Sequence, residues 1–241
     1  MNRLYLILSI KAFMVYVLVV SIAACGIENV VYLYPPPQDS VYDTSDLVDA
    51  SKRYCRFTTA DSLNTGSAAE YFQGTEIYYR IYEREADCIE DRTQINRYND
   101  SNPSSAAQYL QDTKKYARLR CSGISASQRP LIARSGSDRN VRFRLQDYGI
   151  PGSGFDPALL TVGGSSLGIP YRDGKIISSK QEFKGTHITV GDEDVQRASV
   201  SVSESYWYVH FYAVSYGYDK SFRTLYSSLT ALGFIRVDRT P

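Results

Sequence analysis

The chain has 241 residues, with 27 lysines and arginines against 26 aspartates and glutamates. That balance shows no basic footprint for nucleic acid and no acidic or basic tail, so nucleic acid is excluded as an expected partner. Tyrosine is abundant, at 21 residues against a single tryptophan and nine phenylalanines, and tyrosine suits pleated, half-buried surfaces.

The first 25 residues read MNRLYLILSIKAFMVYVLVVSIAAC. Basic residues (Arg3, Lys11) precede an apolar run from Ala12 to Val20, and small residues precede Cys25, the layout of a secretory signal. Lys11 splits the apolar stretch, and Ala12 to Ala24 falls short of the about 20 residues that spanning requires. Ile22-Ala23-Ala24-Cys25 resembles the lipobox of bacterial lipoproteins. The resemblance implies a signal peptide over 1–24, acyl chains on Cys25 and a mature domain over 25–241. It places that domain at a bacterial cell envelope, held in the lipid bilayer through Cys25, with the periplasmic and outer-surface leaflets both open. Removing Arg3 and Lys11 leaves the mature chain with 25 basic and 26 acidic residues. Its 217 residues are enough for one elaborated domain.

Beyond Cys25, the cysteines are Cys55, Cys88 and Cys121. Three cannot all pair internally, and one disulfide among them is compatible with export. No Cys-x-x-Cys pair suggests zinc or redox chemistry, and Cys55 reads as a small buried apolar residue.

Val30–Tyr34, ended by Pro35–Pro37, predicts a short edge strand close behind the anchor. Arg53–Thr58 alternates as a half-buried strand does. Thr75–Glu83 is a strong strand with Ile77, Tyr79 and Ile81 on one face and Glu76, Tyr78, Arg80 and Tyr82 on the other. Glu83–Asp91 reads as a charged stretch. A helix is expected after it, capped by Asn102 with Pro103 in its first turn and Ala106, Tyr109, Leu110, Thr113 and Ala117 at helical spacing. Gly136–Asn140 reads as a hairpin turn between Leu131–Arg134 and Val141–Leu145. Asp173-Gly174 is a second hairpin signal. Phe183–Val190 and Ala198–Val202 read as strands. Ser205–Tyr216 puts Trp207, Val209, Phe211 and Ala213 on one face and Tyr208, His210 and Tyr212 on the other. Leu225–Val237 closes the chain as a last strand, though Phe222, Leu225, Leu229 and Leu232 also stand at helical spacing.

About ten short strands with turns between them imply an antiparallel sandwich. Gly74–Glu83, Trp207–Gly217 and Leu225–Ile235 resemble the third, sixth and closing strands of fibronectin type III domains. The whole also resembles spirochaetal lipoproteins of the Treponema type. These resemblances imply a mainly β, fibronectin type III or immunoglobulin-like sandwich with an inserted α-helix. The departures are a chain about twice the length of a standard sandwich and a tryptophan, Trp207, where that family has tyrosine.

Chemistry-bearing motifs are sparse. Gly164-Ser165-Ser166-Leu167-Gly168 matches the spacing of a nucleophile elbow, which needs a following helix. Pro170 and the Asp173-Gly174 turn preclude one, so a glycine-serine loop is expected. The two histidines, His187 and His210, read as exposed strand residues. Asp192, Glu193 and Asp194 lack the spaced pattern of a calcium loop and read as an acidic turn. No cofactor or metal site is expected. Tyr78, Tyr82, Tyr208, His210 and Tyr212 can form one outward patch for a protein or carbohydrate ligand, or be covered by the inserted helix. The resulting expectation is a membrane-anchored, non-enzymatic binding or structural module, with an exported hydrolase or carbohydrate-active accessory protein as the alternative.

Overall fold

The computed structural model describes residues 31–37, 53–146, 158–177, 180–200 and 202–239. Contacts divide the chain into Met1–Val31 and Tyr32–Pro241. The first unit lies almost wholly outside the described residues. The second is mainly β, with antiparallel sheets, one of them curled into a half-barrel, and two helices.

In chain order the described strands are β1 (Cys55–Thr58), β2 (Phe72–Tyr82), β3 (Ala117–Arg118), β4 (Arg120–Cys121), β5 (Ile132–Ala133) and β6 (Asn140–Phe143). They continue with β7 (Leu160–Val162), β8 (Ser165–Gly168), β9 (Pro170–Tyr171), β10 (Val195–Gln196), β11 (Tyr206–Tyr218), β12 (Thr224–Tyr226) and β13 (Thr230–Asp238). The helices are α1 (Glu85–Ser101) and the single turn α2 (Ala106–Gln108).

The two longest strands carry the fold. β2 pairs antiparallel with β11, from Tyr208↔Tyr82 to Gly217↔Phe72. β13 and then β12 line the other edge of β11. Along the outer edge of β2 lie three short strands end to end: β5, β3 and the parallel β10. Gly74 is required where β5 approaches, because a Cβ there would meet the Ile132 carbonyl oxygen at 2.0 Å. The second sheet has the order β1-β6-β7-β8, and β4 and β9 pair by themselves.

Alternation decides what each face buries. Ile77, Tyr79 and Ile81 of β2 and Trp207, Val209, Phe211 and Ala213 of β11 join Phe57, Val141, Phe143, Leu160 and Val162 of the second sheet in one core. Phe143 meets Phe211 edge-on at 5.0 Å. Each such large side chain is worth about 1.5–3 kcal/mol when fully buried, so this inter-sheet layer dominates stability. The opposite face is closed by helical segments. Tyr78, Tyr212 and Val214 bury against Ile95, Ala106, Ala107, Leu110 and Tyr116. Tyr82, Tyr208 and Phe234 bury against Cys88.

Several expectations need correction. The long helix spans Glu85–Ser101, and Asn102 stands at its C-terminal end rather than opening it. Only Cys88 and Ile95 of that helix are fully buried, too few to mark a helical stripe in the sequence. Asn102 and Pro103 do open a second helical run over 103–113, but it passes through 3-10, α and π turns rather than forming one regular α-helix, and it ends before Ala117, which is in β3. Leu131–Arg134 and Val141–Leu145 do not pair with each other: β5 joins β2, while β6 joins β1. Asp173-Gly174 closes no hairpin, since β9 pairs back to β4. Phe183–Val190 holds a 3-10 turn at Gly185–His187, not a strand. The strand near residue 198 is Val195–Gln196 instead. Leu225–Val237 is two strands, broken at Ser227, whose amide donates to the Ser215 carbonyl.

No edge strand forms over the described residues 31–34. Side chains hold the segment. The Asn64 amide brackets Tyr34, its Oδ1 accepting the Tyr34 N–H at 2.8 Å and its Nδ2 donating to the Tyr34 carbonyl at 2.9 Å. Ser215 Oγ donates to the same carbonyl, and Thr230 Oγ1 donates to that of Pro36. One side-chain amide thus supplies both bonds that a neighbouring strand would give.

Candidate functional site

The five residues expected to form a binding patch are brought together, but inside the protein. Tyr78, Tyr82, Tyr208, His210 and Tyr212 are all buried. They share one face of β2 and β11, and the helical layer covers it, so they present no outward surface. Of the two fates open to them in the sequence, cover by the inserted helix is the one realised. His210 is buried as well, not exposed.

Their polar atoms form a chain. The Tyr82 hydroxyl donates to Asp91 Oδ2 at 3.0 Å and lies 3.0 Å from the Tyr116 hydroxyl, which in turn lies 3.0 Å from His210 Nδ1. Lys114 Nζ donates to the other Asp91 oxygen at 2.7 Å. Tyr212 donates to Asn96 Oδ1 at 2.8 Å. Burial, followed by the neighbouring Asp91, pushes the Tyr82 hydroxyl well above its ordinary pKa. Burial likewise raises Tyr116 and Tyr212. These hydroxyls therefore stay protonated at neutral pH, and the chain works as fixed hydrogen bonding between sheet and helix.

A cleft of about 290 Å³ opens at the edge of this layer, lined by Lys115, Tyr116, Asp173, Glu193 and Asp194 among others. Behind it lies a network that residue spacing does not reveal. Arg172, wholly buried, donates from Nε to Asp194 Oδ2 at 2.9 Å and from Nη2 to Asp192 Oδ2 at 2.8 Å. Its Nη2 also bonds Asp194 Oδ1. Tyr79 donates to Asp194 Oδ2 at 2.7 Å and accepts the Asp173 N–H at 2.8 Å. Burial pushes Asp192 upward, but the Ile177 and Thr189 amides and Arg172 together hold it below the usual carboxylate value.

This revises the acidic turn. Asp192 and Asp194 are buried, and Arg172 and backbone amides occupy their oxygens; Glu193 alone is exposed. Among the described residues no group of three or more acids, histidines or cysteines is placed to hold a metal ion.

The elbow-like motif is a hairpin. Ser165–Gly168 is a strand paired with Leu160–Val162 through Gly163-Gly164, and no helix follows. Exposed Ser166 accepts the Gly168 N–H on its Oγ. His210 points to the helix side of the other sheet, so the inter-sheet core separates it from Ser166. His187 sits on the 3-10 turn with Nδ1 3.3 Å from Glu182. Cys55, Cys88 and Cys121 are buried and free. Burial raises all three thiols, Cys121 to about 11, which leaves them in the unreactive protonated form. Cys25 lies outside the described residues.

One surface feature differs from the helical pattern that its sequence allows. Asp219–Arg223 joins β11 to β12 and presents Phe222, 86% exposed, with a left-handed backbone φ of 58°. The helical spacing of Phe222 with Leu225, Leu229 and Leu232 is not realised, since Leu225 and Leu232 lie on β12 and β13.

No protein-family model matches this chain, and no characterised protein or solved structure is significantly similar to it.

Proposed function

We propose that this chain is a lipid-anchored protein of a bacterial cell envelope whose domain serves as a non-enzymatic binding or structural module. The observation that carries the reading is Ile22-Ala23-Ala24-Cys25 at the end of a basic-then-apolar stretch. Two acyl chains already hold a protein stably at a bilayer, and a lipoprotein cysteine carries at least that. The position of the fold supports it. Leu33 is buried against Ala68 and Phe72, and Tyr34 is bracketed by Asn64. Only eight residue steps separate Leu33 from Cys25, which caps the tether at about 28 Å.

The non-enzymatic reading rests on how the polar groups are employed. The buried tyrosines, His210, Arg172 and the two aspartates are engaged with one another and with the backbone. The cleft beside Lys115, Asp173 and Glu193 is where a small polar ligand with both charges would sit.

The sandwich belongs to the same proposal. The strands likened to the third, sixth and closing strands of a fibronectin type III domain are adjacent in that family, and β2, β11 and β13 are likewise neighbours. The parallel β10 and the broken outer edge of β2 depart from it.

The test is metabolic labelling with palmitate of the wild type and of Cys25→Ala. Label in the wild type and none in the variant is expected; equal labelling of both overturns the anchor.

A further inference from the structure

We propose that the Asp219–Arg223 tip is a second membrane contact, which seats the Phe222 ring in the headgroup layer of an anionic bilayer. It takes from the anchor reading only that a bilayer is at hand.

The tip is built to hold the ring outward. Asp219 Oδ1 accepts the amides of Ser221 and Arg223, each at 2.8 Å. The Phe222 amide donates to the Asp219 carbonyl at 3.0 Å, and the Asp219 amide donates to that of Arg223 at 2.9 Å. Four bonds thus fix a five-residue turn. Within it Phe222 adopts the left-handed conformation, which side chains other than glycine and asparagine rarely take. Glycine would suit the turn better, and no core contact rewards the phenylalanine, which is 86% exposed. An outside surface gives the ring a use.

The surroundings select the surface. Lys220 and Arg223 are exposed beside the ring. The Arg223 side chain is 72% exposed while its Nε pairs with Asp219 at 3.1 Å. With Asp219 counted, the tip carries a net charge of +1. Aromatic rings flanked by long cationic side chains favour the bilayer interface, where the ring enters the headgroups and the cations meet phosphate.

The location agrees. Leu225, on the strand leaving the tip, joins the cluster of Leu33, Ala68 and Phe72. Leu33 therefore packs at the base of the same hairpin. On either side of Leu33, Tyr32 and Tyr34 are 68% and 55% exposed, which adds two interfacial aromatics at this end of the sheet.

The test is the full chain carrying Phe222→Trp, mixed with vesicles of phosphatidylglycerol and phosphatidylcholine that contain spin-labelled lipid. The one native tryptophan, Trp207, is buried and supplies a constant background. Emission from the introduced indole should shift to the blue and be quenched by the labelled lipid, more strongly than in phosphatidylcholine alone. Adding Lys220→Gln should lower the bound fraction by about fivefold. Palmitate on Cys25 is read on the same samples. Quenching supports the contact with or without acylation. Unquenched, water-like emission with acylated Cys25 overturns the contact and leaves the anchor standing; with unacylated Cys25, both fall. Shielding that appears only when another envelope protein is added also overturns it.

Discussion

The two faces of the β2–β11 sheet are built from alternate residues of the same strands, yet they are held in different ways. Toward the second sheet, Ile77, Ile81, Val209 and Phe211 fill an apolar layer. Toward the helices, Tyr78, Tyr82, Tyr208, His210 and Tyr212 supply rings for burial and polar atoms for bonding. The comparison teaches that an aromatic-polar face need not be a recognition surface. A helix with only two fully buried residues has little apolar area to contribute. The sheet compensates by offering hydroxyls, which α1 meets with Asp91 and Asn96. Burying such groups is favourable only while they stay paired.

The largest predicted effect breaks the ionic network of Arg172, Asp192 and Asp194 that borders the apolar face. Asp194→Ala leaves Arg172 partly unpaired inside the protein and leaves Tyr79 only its longer bond to the Asp173 carbonyl, at a cost of about 3–5 kcal/mol. Urea unfolding should show the loss as a lower midpoint. The helix-side chain is less costly to break: Tyr116→Phe removes the hydroxyl between Tyr82 and His210 and should cost about 1–3 kcal/mol. A Tyr116→Phe loss equal to that of Asp194→Ala would erase the distinction between the faces.

Acid sharpens the same contrast. The folded-state pKa of Asp192 is held below its ordinary value, so its contribution is complete above the unfolded carboxylate range. It is lost as pH falls through the depressed folded value. Urea midpoints should decline from about pH 4 downward, and Asp192→Asn should flatten that decline at the expense of neutral-pH stability. The helix-side tyrosines, raised instead, contribute nothing to it.

The smallest effect has the opposite sign. Phe222→Gly relieves the left-handed backbone and should stabilise the fold by about 1 kcal/mol, with loss of vesicle contact. A tip that is destabilised by glycine would place Phe222 in a structural role.

The sequence made the strand faces readable, because alternation over Ile77–Ile81 and Trp207–Ala213 survives any tertiary arrangement. It hid α1, whose mostly polar surface has no helical stripe, while Asn102-Pro103 marked the true start of the helical run over 103–113. Strands of two residues, such as β3, β4 and β5, are too short for a period to exist. The hairpin signal at Asp173-Gly174 was overridden by the pairing of β9 with β4. Arg172 was hidden too, since its partners lie 20 and 22 residues away and only folding brings them together. The tyrosines were readable as a group, and so was part of their cover, since Ala106 and Leu110 stand at helical spacing; α1, which adds Ile95, Asp91 and Asn96, was not.

The central claim, a folded module held at a membrane through Cys25, is tested most directly by the intact mass of the chain purified from bacterial membranes. The account predicts a chain that begins at Cys25 and carries the added mass of diacylglycerol and an amide-linked acyl group. A chain of unmodified mass, whether it begins at Met1 or within the domain, would contradict it.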